Sequence, residues 1–309
     1  MVETSSMNPL TPLETLYDVD RGRSVRLPSE LAALYGRLEF PPHPGRPYVI
    51  ANFVSSLDGI VSLGVPGQAG GGPISGFNLH DRMIMGMLRA SADAVLVGAG
   101  TLRSAPAHVW TAQYIYPALA GIYQTMRRAF GKSGSPLNVI ITARGEIDPH
   151  LRVFQSGEAP VLIVTSTQGL DRIRRLGMPQ SVQVVAVGGA DRLSARSILD
   201  AVGRVRSSDV LLVEGGPHLL GDFFAESCLD EQFLTLAPQV AGRDGSGERP
   251  GFVVGRIFAP EHPLWGALIS VKRGGNHLFL RYGFTSKTQE REYPRASMTR
   301  SPDGGDEGR

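Results

Sequence analysis

The chain has 309 residues, 42% of them hydrophobic and 19% charged, which supplies a core for one large domain or two small ones and excludes a disordered or fibrous class. A formal charge of +2 gives no reason to expect nucleic acid or an acidic membrane surface as a partner. The single cysteine, Cys228, excludes an internal disulfide and a multi-cysteine metal site and suits a reducing cytosol.

Taken in chain order, the opening MVETSSMNPLTPLE has no basic segment followed by an apolar run, and no window reaches the roughly 18–20 apolar residues of a membrane span. A cytoplasmic protein is expected. Residues 1–46 read as an N-terminal extension with one helical stretch, SELAALYGRL, ended by PPHPGRP. YVIANFV (48–54) reads as a buried strand, and SSLDG (55–59) releases the chain into a glycine-rich loop suited to a mobile flap. A helix follows, with Leu79, Met83, Met87 and Leu88 at helical spacing, then the strand DAVLVG (93–98). Residues 111–130 read as helical, with a break expected at Pro117. The strands LNVIITA, VLIVT, VQVVAVG and VLLVEGG alternate with helical patterns up to residue 216, and a helix from Pro217 leads to QFLTLAP. Strands apolar along their whole length, separated by helices, argue for a mostly parallel sheet covered on both faces. Beyond Pro250 the runs FVVGRIF, ALISVKR and HLFLRYG suggest consecutive antiparallel strands, with a turn at Gly274, Gly275 and Asn276. The polar tail from residue 285 is too poor in aliphatics to offset its ordering entropy and is expected to be disordered.

Ligands in such sheets bind at the carboxyl ends of the strands, so the strand exits carry the candidate chemistry. DAVLVG runs into Gly98-Ala99-Gly100-Thr101, whose small residues and hydroxyl suit a phosphate. VLLV ends in Glu214-Gly215-Gly216-Pro217 ahead of a helix, a second anion-accepting turn with an acid facing the same crevice. Thr142 and Arg144 leave VIITA where they suit a charged monoester such as the 2′-phosphate of NADPH, and Thr165 closes the next strand. Each feature alone is equally well a turn, a helix cap or a solvated loop arginine. Ser56 and Asp58 follow the first buried strand, although Asp-Gly is also a generic turn. No two histidines have the spacing of a zinc motif, and no metal is expected.

Together, SSLDG, DRMIMGMLRASADAVLVGAGT and LLVEGGPHLLGDFF followed by DEQFLTLAPQVAG resemble the pyrimidine reductases of riboflavin biosynthesis, over roughly residues 47–284. The resemblance implies the dihydrofolate-reductase-like α/β fold and a reductase that uses NADPH to convert the ribose of a phosphorylated pyrimidine ribosylamine into a ribityl chain. It places Asn52, Gly98, Gly100, Thr101, Thr142, Arg144, Thr165, Gly215, Gly216, Pro217 and His218 along the cofactor. It gives Arg89, Glu214 and Ser56 to the substrate and makes Glu214 and Asp58 the catalytic pair. It also implies a homodimer, with QFLTLAP and the late strands offering an edge for pairing. The chain departs from the family after Thr101: the run LRSAPAHVWTAQ lacks the usual aspartates and the following arginine, leaving Arg103 nearby. Asn52 stands where the bifunctional enzymes carry a lysine, and the deaminase motifs are absent. A related reductase of another heterocycle such as a pterin, and a nucleotide-binding protein without turnover, remain as alternatives.

Overall fold

The computed structural model describes residues 10–19, 27–38, 40–41, 43, 45–65, 68–188, 192–245 and 249–284. Its strands are β1 (Glu14–Asp18), β2 (Tyr48–Ser55), β3 (Ala94–Gly98), β4 (Leu137–Thr142), β5 (Val161–Thr165), β6 (Val182–Ala186), β7 (Val210–Val213), β8 (Glu231–Leu236), β9 (Ala267–Gly274) and β10 (His277–Gly283). The helices up to the middle of the chain are α1 (Ser29–Tyr35), α2 (Gly71–Ser75), α3 (Leu79–Ser91), α4 (Ala99–Ser104) and α5 (Ala112–Ile115). They continue as α6 (Ala120–Ala129), α7 (Arg152–Gln155), α8 (Thr167–Arg174), α9 (Ala195–Val205) and α10 (Pro217–Ala225).

The strands form one sheet in the order β1-β9-β10-β8-β2-β7-β3-β4-β5-β6. Neighbours from β8 to β6 run parallel, and β8, β10, β9 and β1 pair antiparallel. This is the α/β fold with antiparallel C-terminal strands that the sequence implies. Every residue of β2, β4, β5 and β7 is buried, because helices cover both faces. Alternate residues separate accordingly. Ile50, Leu212, Val95 and Ile140 pack with Met83, Met87, Tyr123 and Met126 of α3 and α6. Val49, Leu211, Leu96 and Val139 pack with Ile198, Val202, Leu220 and Phe223 of α9 and α10. From β3 the chain moves outward through β4, β5 and β6. It then returns to set β7 between β2 and β3. Connections therefore leave β3 and β7 in opposite directions, which opens a crevice above their carboxyl ends.

Several details differ from the sequence reading. Residues 252–258, FVVGRIF, contain no strand; their apolar side chains Phe252, Val253 and Phe258 pack against the second cluster from irregular backbone. The strand from QFLTLAP lies between β10 and β2, so it offers no edge for pairing, and the edge on that side is β1. Pro117 breaks the 111–130 helix as anticipated: α5 ends at Ile115 and a 3-10 turn spans Pro117–Leu119. In the N-terminal extension, β1 pairs with β9 and α1 buries Leu31 and Tyr35. Lys272, 1% exposed, donates to Thr15 Oγ1 and Asp18 Oδ2 at 3.2 Å each. The tail expected to be disordered lies outside the described residues.

Candidate active site

The crevice above β2, β7, β3 and β4 has a volume of about 770 Å³. Three strand exits line it with little side-chain bulk. Gly98 and Gly100 come from β3 and the start of α4, Gly215 and Gly216 from the turn after β7, and Thr142 with Arg144 from the end of β4. The Gly98 amide donates to the Gly215 carbonyl at 2.8 Å and ties two of these exits together. Gly215 has φ of 148°, and a Cβ there would stand 2.5 Å from Thr101 Oγ1. Only glycine leaves this turn room beside the threonine. The turn leads into α10 with Pro217 at its first position and His218 on the crevice wall.

At β4 the Thr142 hydroxyl accepts from the Gly145 amide at 3.1 Å and shapes the loop that carries Arg144. Arg144 is exposed, and no hydrogen bond or ion pair holds its guanidinium among the described residues. Thr165 does not reach the crevice. It is fully buried, and its hydroxyl donates to the Thr142 carbonyl at 2.7 Å, so it supports the β4 exit from behind.

The floor is polar and buried, and its charged groups are hydrogen-bonded. Glu214 lines the crevice beside Asn52, whose place on β2 adjoins it in the parallel register of β2 and β7. Arg89, at the last turn of α3, is 1% exposed. Its Nε donates to Glu214 Oε1 at 3.1 Å and Oε2 at 2.9 Å, and its Nη2 donates to Oε2 at 2.6 Å. The rest of the guanidinium is also engaged: Nη1 donates to the Thr111 carbonyl at 3.1 Å, and Nη2 lies 3.0 Å from His108 Nε2. Burial pushes the Glu214 carboxyl above its ordinary value, Arg89 draws it back, and nearby Asp81 adds to the rise. Asp81 is itself buried and raised by burial, with the Thr235 hydroxyl donating to it at 2.7 Å. Asn52 is 6% exposed and opens on the crevice; no intramolecular hydrogen bond engages its side-chain amide among the described residues.

The structure thus brings Asn52, Gly98, Gly100, Thr101, Thr142, Arg144, Glu214, Gly215, Gly216, Pro217 and His218 to one crevice. It places Ser56 and Asp58 elsewhere. The Ser56 hydroxyl donates to Asp58 Oδ1 at 2.6 Å, and the carboxylate also accepts from the amides of Ala241 (3.1 Å) and Gly242 (2.8 Å). These bonds, the serine's first, hold the Asp58 carboxyl down at about 2 and join the turn after β2 to the loop after β8. The arginine expected to meet the substrate, Arg89, faces Glu214 and not open space. Sequence reasoning did not single out Asp81, Met85, Thr111 or Arg192. The spacing of Asp81, Met85 and Arg89, one helical turn apart each time, marks one face of α3, and Met85 lines the crevice. Arg192 also lines it, while its Nε donates to Asp222 at 2.8 Å.

Residues 47–252 match the family model of the RibD C-terminal domain. The chain is 27% identical over 200 residues to the 2,5-diamino-6-ribosylamino-4(3H)-pyrimidinone 5′-phosphate reductase of Archaeoglobus fulgidus, a match covering 64% of this chain and 84% of that one. It is 24% identical over 197 residues to the riboflavin biosynthesis protein RibD of Aquifex aeolicus, covering 64% of this chain and 48% of that longer protein. Among solved structures, a pyrimidine reductase-like protein of Corynebacterium diphtheriae shares the fold with a TM-score of 0.60 at 22% identity, over 77% of this chain and 92% of that one.

Proposed function

This chain belongs to the RibD C-terminal domain family, and on that footing we propose that it is an NADPH-dependent reductase of riboflavin biosynthesis, converting the ribosylamino group of a pyrimidine 5′-phosphate to a ribitylamino chain. The observation that carries the reading is the meeting of three bare strand exits over one buried carboxylate. The residues present fit a phosphorylated dinucleotide. Gly215 lets the turn pack closely against Thr101, Gly100 has nothing within 4 Å of where a Cβ would stand and so leaves backbone open, and Arg144 stands exposed at the β4 exit. Gly98, Gly100, Thr101, Gly215, Gly216, Pro217 and His218 would hold the pyrophosphate and its ribose, and Thr142 with Arg144 the 2′-phosphate. When bound, the reduced nicotinamide supplies hydride to the sugar carbon attached to the amine.

The protein's own task is to hold and orient the substrate. Glu214, aimed by Arg89, offers carboxylate oxygens to the amino and N–H groups of the pyrimidine and the opened sugar. Asn52, which the resemblance places along the cofactor, offers a donor and an acceptor beside Glu214, and Met85 an apolar surface. No helix among the described residues is long and apolar enough to cross a membrane. We place the enzyme in the cytoplasm, which the single buried cysteine suits, and expect a homodimer, for which β1 offers an edge.

One observation favours a second reading, a reductase of another heterocycle such as a pterin. Arg89, the arginine that the resemblance gives to the substrate, is closed onto Glu214, so that cation is withdrawn from the ligand. One assay separates the two. NADPH and NADH are each supplied with the diaminopyrimidinone ribosylamino phosphate, its deaminated uracil counterpart and dihydrofolate, and absorbance loss is followed. Oxidation of NADPH with a phosphorylated pyrimidine is expected. Turnover of dihydrofolate alone selects the second reading, and no affinity for either cofactor in a titration removes both.

A further inference from the structure

The stretch from Ser104 to Thr111, where this chain leaves its family's pattern, is joined to the crevice floor through a single guanidinium. A buried arginine–carboxylate pair costs desolvation unless its remaining donors are satisfied. Here the Thr111 carbonyl and the His108 imidazole engage one N–H of Nη1 and the second N–H of Nη2, at 3.1 and 3.0 Å. Arginine only donates, so His108 Nε2 accepts and the ring proton sits on Nδ1. The ring is fixed in place. Its centroid lies 5.0 Å from that of Trp110 and 4.5 Å from that of Tyr114. Trp110 in turn is pinned to β4, its amide donating to Asn138 Oδ1 at 2.9 Å and its carbonyl accepting from Asn138 Nδ2 at 3.1 Å.

From this geometry we propose that His108 is a positioning residue for the reduction: its neutral imidazole accepts from Arg89 and so keeps the guanidinium seated on Glu214, which aims the carboxylate at the substrate. The proposal rests on the reductase reading given above and assigns a task to the segment that has lost the family's acids. It also separates the roles of the arginines. Arg89 serves the carboxylate, which leaves Arg103, exposed on the crevice wall, free to meet a ligand. The charged and titratable groups around Glu214 are Arg89 and Asp81 from α3, with His108 acting through Arg89. Burial, and then the Arg89 charge, hold His108 down at about 2, so the ring stays an acceptor throughout the working range.

Two substitutions and one measurement on the unaltered protein test this. His108→Phe keeps an aromatic ring between Trp110 and Tyr114 but removes the acceptor, whereas His108→Gln keeps an acceptor. His108→Phe is expected to lower kcat by about tenfold to a hundredfold with NADPH affinity unchanged, and to move the acid limb of the pH profile upward as Glu214 loses its cation. His108→Gln is expected to restore most of both. Wild-type kcat and pH profile in His108→Phe, or an equal fall in both variants, overturns the proposal. On the unaltered protein, nitrogen NMR is expected to show His108 protonated at Nδ1 alone and not titrating from pH 5 to 8; a titration in that range overturns it whether or not the variants fold. A protein inactive on every substrate, yet with this tautomer, would count against the reductase reading and not against the clamp.

Discussion

Arg89 and Arg144 are the two arginines that the sequence assigns to ligands, and the structure treats them in opposite ways. Arg89 is 1% exposed, and Glu214, Thr111 and His108 surround its guanidinium. Arg144 stands exposed at the β4 exit with no hydrogen-bond or ion-pair partner among the described residues. The Arg89–Glu214 pair on the crevice floor is therefore closed within the chain, while the guanidinium at the β4 end is open to solvent. Residue type is the same at both ends, and burial decides the role. A buried guanidinium paired to a carboxylate orients that neighbour and sets its charge. An exposed one has its donors free for a phosphate.

The sharpest way to break the contrast is to remove the floor's cation. Arg89→Ala leaves Glu214 buried without its partner, and loss of one member of a buried pair costs about 3–5 kcal/mol, read as a lower urea midpoint at neutral pH. The pH dependence has a definite sign. Burial already raises the Glu214 carboxyl, and without Arg89 the folded-state value rises further above the unfolded one. The folded state then binds the extra proton. The variant should be least stable at neutral pH and recover as the pH falls toward the ordinary carboxylate range. A loss that does not vary with pH would mean that Glu214 is not charged by virtue of Arg89. Glu214→Gln tests the same floor through activity, with kcat expected to fall about a hundredfold and NADPH affinity unchanged; full activity removes Glu214 from the reaction.

At the other end the effect is smaller and confined to binding. Arg144→Ala should weaken NADPH by about 1.5–3 kcal/mol, the worth of one charge-assisted contact, and leave NADH almost untouched. The two cofactors are compared by titration. Equal losses would place Arg144 away from the 2′-phosphate, and the contrast between the two arginines would then fail at its open end.

The sequence holds more about the surroundings of Arg144 than about those of Arg89. Strand identity was visible in local runs such as YVIANFV and LNVIITA, and Gly98, Gly100, Gly215 and Gly216 were visible because a strand followed by glycines is a local pattern. Arg144 sits on such an exit, so its surroundings were predictable from its neighbours. The environment of Arg89 was not local: Glu214 lies 125 residues away and Thr111 22 away. The same limit hid the pairing of β1 with β9, where Thr15 sits opposite Lys272. At FVVGRIF the apolar run suggests a strand, but Phe252, Val253 and Phe258 pack half-buried onto a cluster while Ile257 stays exposed, and such packing does not require strand backbone. For Asp58, an acid following a strand looks identical whether it faces a ligand or two distant amides.

Asp58 gives the smallest predicted effect and a check on the crevice's boundary. Its carboxylate accepts from Ser56, Ala241 and Gly242, and those bonds hold it at about 2, below its ordinary value. Such a group contributes stability that is present above its unfolded value and is lost as the pH falls through the folded one. In Asp58→Asn an amide N–H2 must face one of the donors that now reach a carboxylate oxygen. The variant should therefore be less stable at neutral pH, and its deficit against the unaltered protein should close as the pH falls from about 4 to 2. Urea unfolding across that range reads the difference. Because Ser56, Asp58, Ala241 and Gly242 do not themselves line the crevice, NADPH affinity and kcat should stay close to those of the unaltered enzyme. A fall in kcat without a change in stability would instead put Asp58 among the reacting groups, and the crevice would then extend beyond the exits of β2, β7, β3 and β4.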